Sequence, residues 1–170
     1  MQKKEALWKA DSAKMRCELK INADFAPWTS SARLQGLPKH NCRSKDLLDL
    51  AWVSRGKAMP STTSSDEKAR DFWADVSQGV SRKPWYTGAL WCATQTSLPY
   101  SFECDTVLSG YDSLRLMGAP LDIAPTEGPY KLYDRDLRSL GGEAFSVPVV
   151  TAVCYAFWLN PHAFWWGPET

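Results

Sequence analysis

Histidine is almost missing from this chain: only His40 and His162 occur in 170 residues. A multi-histidine metal centre is thereby excluded, and no metal site is expected. The five cysteines, at 17, 42, 92, 104 and 154, never fall at the Cys-x-x-Cys spacing of a zinc knuckle or a redox motif. Neither sign of charge dominates, since 20 Lys+Arg against 19 Asp+Glu leave a net +1. A membrane-spanning stretch is also wanting. Residues 144–168 carry no charge, but Pro148 and Asn160-Pro161 cut that run to 149–159, well short of the roughly 20 apolar residues a span needs. The first residues, Met1-Gln2-Lys3-Lys4-Glu5, hold no apolar signal segment. Membrane association is not expected, and a reducing compartment, nuclear or cytoplasmic, is.

What is present is ordinary for a folded protein: 44% hydrophobic and 23% charged residues, close to globular averages, in a length of one domain or one and a half. Tryptophan is the outlier, with nine copies. Rings of that size either fill a core or stack on something outside it. Charge is unevenly spread. Residues 1–70 carry 14 Lys+Arg against 8 Asp+Glu, whereas residues 71–170 carry 6 against 11. A basic half can meet phosphate without reading sequence, although solvated helix faces account for it equally.

Hydrophobic spacing predicts a helix over 3–20, a loop over 21–43 and a second helix opened by Ser44 that carries Leu47, Leu48, Leu50 and Ala51 and stops at Gly56. Ser64 and Glu67 stand at capping-box spacing and predict a third helix through about Val76. Residues 84–102 lack charge and are rich in β-formers, so short strands are expected at about 89–95 and 99–104. Ser109 and Asp112 form a second capping box before a short helix that ends at Gly118. Arg135 and Arg138, alternating with Asp134 and Asp136, read as a solvated, salt-bridged loop. The fold class expected is α+β, with short strands around 89–104 and a buried C-terminal helix around 147–159.

Two segments carry a likeness to known chemistry. Residues 108–120 read Leu-Ser-Gly-Tyr-Asp-Ser-Leu-Arg-Leu-Met-Gly-Ala-Pro, and after 21 intervening residues Gly142-Glu143-Ala144-Phe145 follows. This pair resembles the last two motifs of the DNA cytosine-5 methyltransferases, and the stretch from Asp75 to the strand at 99–104 looks like the end of that family's target-recognition region. The resemblance divides the chain into a basic helical region, 1–60, and a methyltransferase-like recognition end with closing helix, 61–170. It implies S-adenosylmethionine beside Gly142, Glu143 and Ala144, DNA as partner with Arg115 aimed toward it, and a partner or preceding catalytic domain. A similar string, Arg-Leu-Gln-Gly-Leu-Pro at 33–38, lacks the upstream acid and the downstream Gly-x-Ala, and reads as coincidence.

The departures are as informative. Glu143 stands where the family has Asn and Ala119 where it has Phe, and the chain has no Phe-x-Gly-x-Gly loop, no Pro-Cys-Gln nucleophile, no Glu-Asn-Val and no Gln-x-Arg. Methyl transfer needs a cysteine that adds to a flipped cytosine, and Cys92 sits in Leu-Trp-Cys-Ala instead. No catalytic residue is assigned, and no cofactor binding is expected of the chain alone. For nucleic acid the best local patch is Arg82-Lys83-Pro84-Trp85-Tyr86, two cations beside two rings, suited to phosphate contact and base stacking. It reads equally as a surface turn with a core anchor. The alternative function is a non-catalytic structural or interaction subunit that docks through the Trp-rich helix 147–166.

Overall fold

The computed structural model describes residues 2–37, 41–88, 94, 96–118, 131–143, 150–152 and 154. Among them are helices and a four-stranded antiparallel sheet, the α+β class that the sequence suggests. The chain forms two compact units, 1–92 with 96–108, and 93–95 with 109–170. The expected strand at 89–95 falls almost wholly outside the described residues.

In the first unit, α1 (Gln2–Leu19) and α2 (Cys42–Ala58) pack on each other and share an apolar cluster with residues of the sheet. The Asn41 side chain accepts from the Ser44 N–H at 3.1 Å and opens α2, relieving one of the free donors at a helix start. The helix passes Gly56, the expected stop, and ends at Ala58 before the extended Met59. One glycine costs a helix interior only about 1 kcal/mol, while Pro60 disfavours helical geometry at the residue before it and pushes Met59 to the extended region. Leu47, Leu48, Leu50 and Ala51 are fully buried. They share one apolar cluster with Phe72, Ala74, Tyr100, Phe102 and Val107, so residues on both sides of the expected boundary at 60 belong to a single core.

Ser64 caps α3 (Ser65–Ala69) by accepting the Glu67 N–H at 3.2 Å. The helix does not reach Val76. Asp71 takes a positive φ of 50°, and β1 (Phe72–Asp75) follows. Alternation wins over helix propensity because β1 is one of the two inner strands of the order β2-β1-β3-β4, where β2 is Trp85–Thr87, β3 Pro99–Ser101 and β4 Thr106–Val107. Ala74 pairs with Trp85 on one side and Tyr100 on the other, putting these side chains on the core face. Trp73 pairs with Tyr86 on the opposite face. Phe102 gathers the core aromatics: its ring lies 4.5 Å from Phe72, 5.0 Å from Trp28, 5.3 Å from Tyr100 and 5.7 Å from Trp52.

The outer edge of β4 is closed by the Arg-Leu-Gln-Gly string. Gln35 bridges Thr106, and the Val107 N–H donates to the Gln35 carbonyl at 2.9 Å. Asp105 anchors the same string, its carboxylate accepting the N–H groups of Arg33 at 2.6 Å and Leu34 at 3.0 Å. The Tyr100 hydroxyl donates to that carboxylate and accepts the Trp28 indole N–H at 2.9 Å. Burial, and next the hydrogen bond to Asp105, push the Tyr100 phenol above its ordinary value. The string that reads as coincidence in the sequence thus has a structural role at residues 33–35.

The second unit is built on α4 (Gly110–Leu116) and α5 (Asp134–Glu143). Ser109 and Asp112 satisfy each other's end of α4, and Gly118, at φ 76°, follows its end, all as the spacing suggests. The segment carrying Arg135 and Arg138 is helix rather than loop, with Arg138 bridging Asp134 one turn back. The two helices touch at glycine. The Gly110 N–H donates to Asp134 Oδ1 at 2.6 Å, and Gly141 lies against Ser113. Leu114 and Leu137 are buried between them. Residues 150–152 and 154 are helical, but Val150 is 43% exposed where burial was expected; the other residues of 147–159 lie outside those described.

Candidate nucleic-acid interface

The Arg82-Lys83 turn is held from below. Asp75, buried at the end of β1, accepts from the Ser77 N–H at 2.9 Å, the Ser77 hydroxyl at 2.6 Å and the Leu98 N–H at 3.0 Å. The chain then enters a short 3-10 turn, Val80–Arg82, whose Val80 is buried. Lys83 takes the left-handed conformation, φ 48° and ψ 57°, and its N–H donates to the Val80 carbonyl at 2.9 Å. Pro84 is buried, and its carbonyl accepts the Asp75 N–H at 2.8 Å to open the β1–β2 pairing. Two buried anchors, Val80 and Pro84, therefore bracket two exposed cations.

Those cations are lightly engaged. Arg82 donates to the Gln78 side chain at 3.1 Å, and Lys83 stands 4.0 Å from Glu18 of α1 with 61% of its side chain exposed. Exposed pairs of this kind contribute about 0–1 kcal/mol, so both cations can turn to a phosphate at little cost. Acid is close by, however: Asp11 and Glu18, together with the basic Lys14, line a depression with Lys83.

The two rings of the patch part company. Trp85 is half-buried and packs on the core cluster, which commits its ring to the fold. Tyr86, one residue on, faces the other side of the sheet beside Trp73 and is 41% exposed. Only one of the two expected stacking rings is therefore presented with Arg82 and Lys83. Arg115 is exposed in the last turn of α4 and belongs to the other unit.

Of the residues assigned to cofactor, Gly142 and Glu143 form the last turn of α5 and Ala144 lies outside the described residues. The neighbouring Gly141 has a packing reason: a Cβ there would stand 3.0 Å from Ser113 Cβ. Among the described residues no group of three or more His, Cys, Asp and Glu could hold a metal. No described helix is long and apolar enough to cross a membrane. No family model, curated protein or solved structure matches the chain.

Sequence reasoning missed a groove between α1 and α2 that contains Trp8, Arg16, Cys17, Cys42 and Asp46. Its polar members are scattered along two helices with no motif spacing, so no local signal in the sequence marks it.

Proposed function

We propose that this chain is a non-catalytic module that contacts duplex DNA through Arg82, Lys83 and Tyr86. The observation that supports this most is the pair of adjacent, exposed cations on a turn fixed by Val80 and Pro84, with the exposed Tyr86 ring three residues beyond Lys83. Cations on a rigid turn meet phosphates with little ordering cost, and contacts of this kind position a protein on a duplex without reading bases. The likeness of 70–160 to the recognition end and last motifs of DNA cytosine-5 methyltransferases points the same way, with catalysis left to a partner or preceding domain. The test is binding of a labelled duplex, followed by anisotropy across a salt series. Arg82→Ala with Lys83→Ala lowers the log–log salt slope by about 1.8, at roughly 0.9 per phosphate contact. An unchanged slope, or no binding by the parent at low salt, sinks the proposal.

A second reading has its own support. The second unit leaves Tyr133 68%, Leu116 49% and Leu140 47% exposed, as well as Val150. Large apolar side chains in the open favour an interaction subunit whose partner covers them. Isolation as a stoichiometric complex, with these residues protected from solvent and no salt-dependent binding to DNA, selects this reading over the first.

A further inference from the structure

A groove of about 510 Å³ runs between α1 and α2, within the roughly 300–1,000 Å³ typical of small-molecule sites. Trp8, Ala13, Ile21 and Ala23 give it apolar walls. Its floor is polar but self-satisfied. Asp46 accepts from the Ser12 hydroxyl and from Arg16 Nε at 3.0 Å, and the Arg16 Nη1 donates to the Asn22 and Phe25 carbonyls at 2.8 and 3.0 Å. The one acid in the lining is thus already occupied, and a cationic guest finds no partner there.

The lining charge decides the sign. Among the lining residues Lys9 and Arg16 against Asp46 leave one positive charge in excess, which Glu5 just outside the lining offsets until its pair with Lys9 opens. Lys9 is the cation that can move: its partner Glu5, at 2.8 Å, forms a surface pair in which both side chains are more than half exposed, an association worth little in water. The same ammonium lies 5.9 Å from the Trp8 ring centroid, at the junction of the apolar wall and the positive rim. We propose that the α1–α2 groove binds an amphipathic monoanion, a single carboxylate carried on an apolar body, with the body along Trp8 and Ile21 and the carboxylate at Lys9.

Two of the cysteines supply the assay. Cys17 and Cys42 line the groove and are exposed, whereas Cys104 is exposed outside it. The intact chain is alkylated with iodoacetamide in the presence of laurate below its micellar concentration, and each cysteine is followed by peptide mass spectrometry. The concentration dependence of protection gives Kd. At ten times Kd the rates at Cys17 and Cys42 fall about tenfold, because only the unoccupied groove reacts, and the rate at Cys104 stays constant. Lys9→Gln weakens laurate about fivefold, the upper range for one exposed charge pair, and leaves dodecanol protection unchanged. Equal protection by dodecyltrimethylammonium overturns the charge assignment. Absence of protection, or equal slowing at Cys104, overturns the site.

Discussion

Glycine to alanine, made at two helical positions, should give opposite signs in this protein. Gly56 lies inside α2 with nothing within 4 Å of a new Cβ, so alanine there should stabilise by up to about 1 kcal/mol through helix propensity and a smaller unfolded-state entropy. Gly110 opens α4, and its Cβ would stand 2.4 Å from the Asp134 carbonyl oxygen, 2.5 Å from Leu137 Cβ and 2.9 Å from the Arg138 nitrogen. Two of those atoms are backbone, so no side-chain rotation relieves the collision and α5 must retreat. Overpacking costs about 1–3 kcal/mol; set against a propensity gain below about 1 kcal/mol, Gly110→Ala should lose about 1–2 kcal/mol. The assay is urea unfolding by circular dichroism, with the slope measured so that altered cooperativity is not mistaken for stability. Amide hydrogen exchange in α4 and α5 assigns the loss to the second unit. A Gly110→Ala protein as stable as the parent would refute the close approach of the two helices.

Two further outcomes follow from the core. Phe102→Ala should cost roughly 3–5 kcal/mol in chemical denaturation, since it removes the ring on which four others rest; a loss below about 1 kcal/mol would contradict the burial drawn here. Folded Tyr100 keeps its proton above the pH at which an unfolded tyrosine releases it, so its contribution is intact below pH about 10 and declines above that, by up to about 1.4 kcal/mol per pH unit. Urea midpoints at pH 9 and 11 should therefore diverge in the parent and converge in Tyr100→Phe, and an equal decline in both proteins would contradict this.

Local chemistry was legible where it acts alone. Ser109, Asp112 and Gly118 announce both ends of α4, because capping and a left-handed stop depend on residues a few positions apart. The same logic at Ser64 and Glu67 located the start of α3 and overran its end, because Phe72 to Asp75 answer to strands ten or more residues away. Charge alternation from Asp134 to Arg138 suggested a loop, while the apolar contact that makes it helix comes from Leu137 against α4. At the candidate interface the cations were readable as surface. The strand that sends Trp85 inward and Tyr86 outward was not, since its pairing with β1 decides the faces.

The clasp between the Arg33-to-Gln35 string and Asp105 has a consequence for the order in which the molecule forms. Residues 33 and 35 sit 72 and 71 positions from the partners that hold them, Asp105 and Thr106, and Trp28 is 72 positions from Tyr100. During synthesis α1 and α2 are therefore complete long before the strands that cover them exist, and their apolar faces must wait in contact with solvent or with each other. Contacts of such long separation slow folding. Chains released before Val107 should expose Leu47, Leu48 and Leu50 together, and so aggregate rather than rest as a half-built domain.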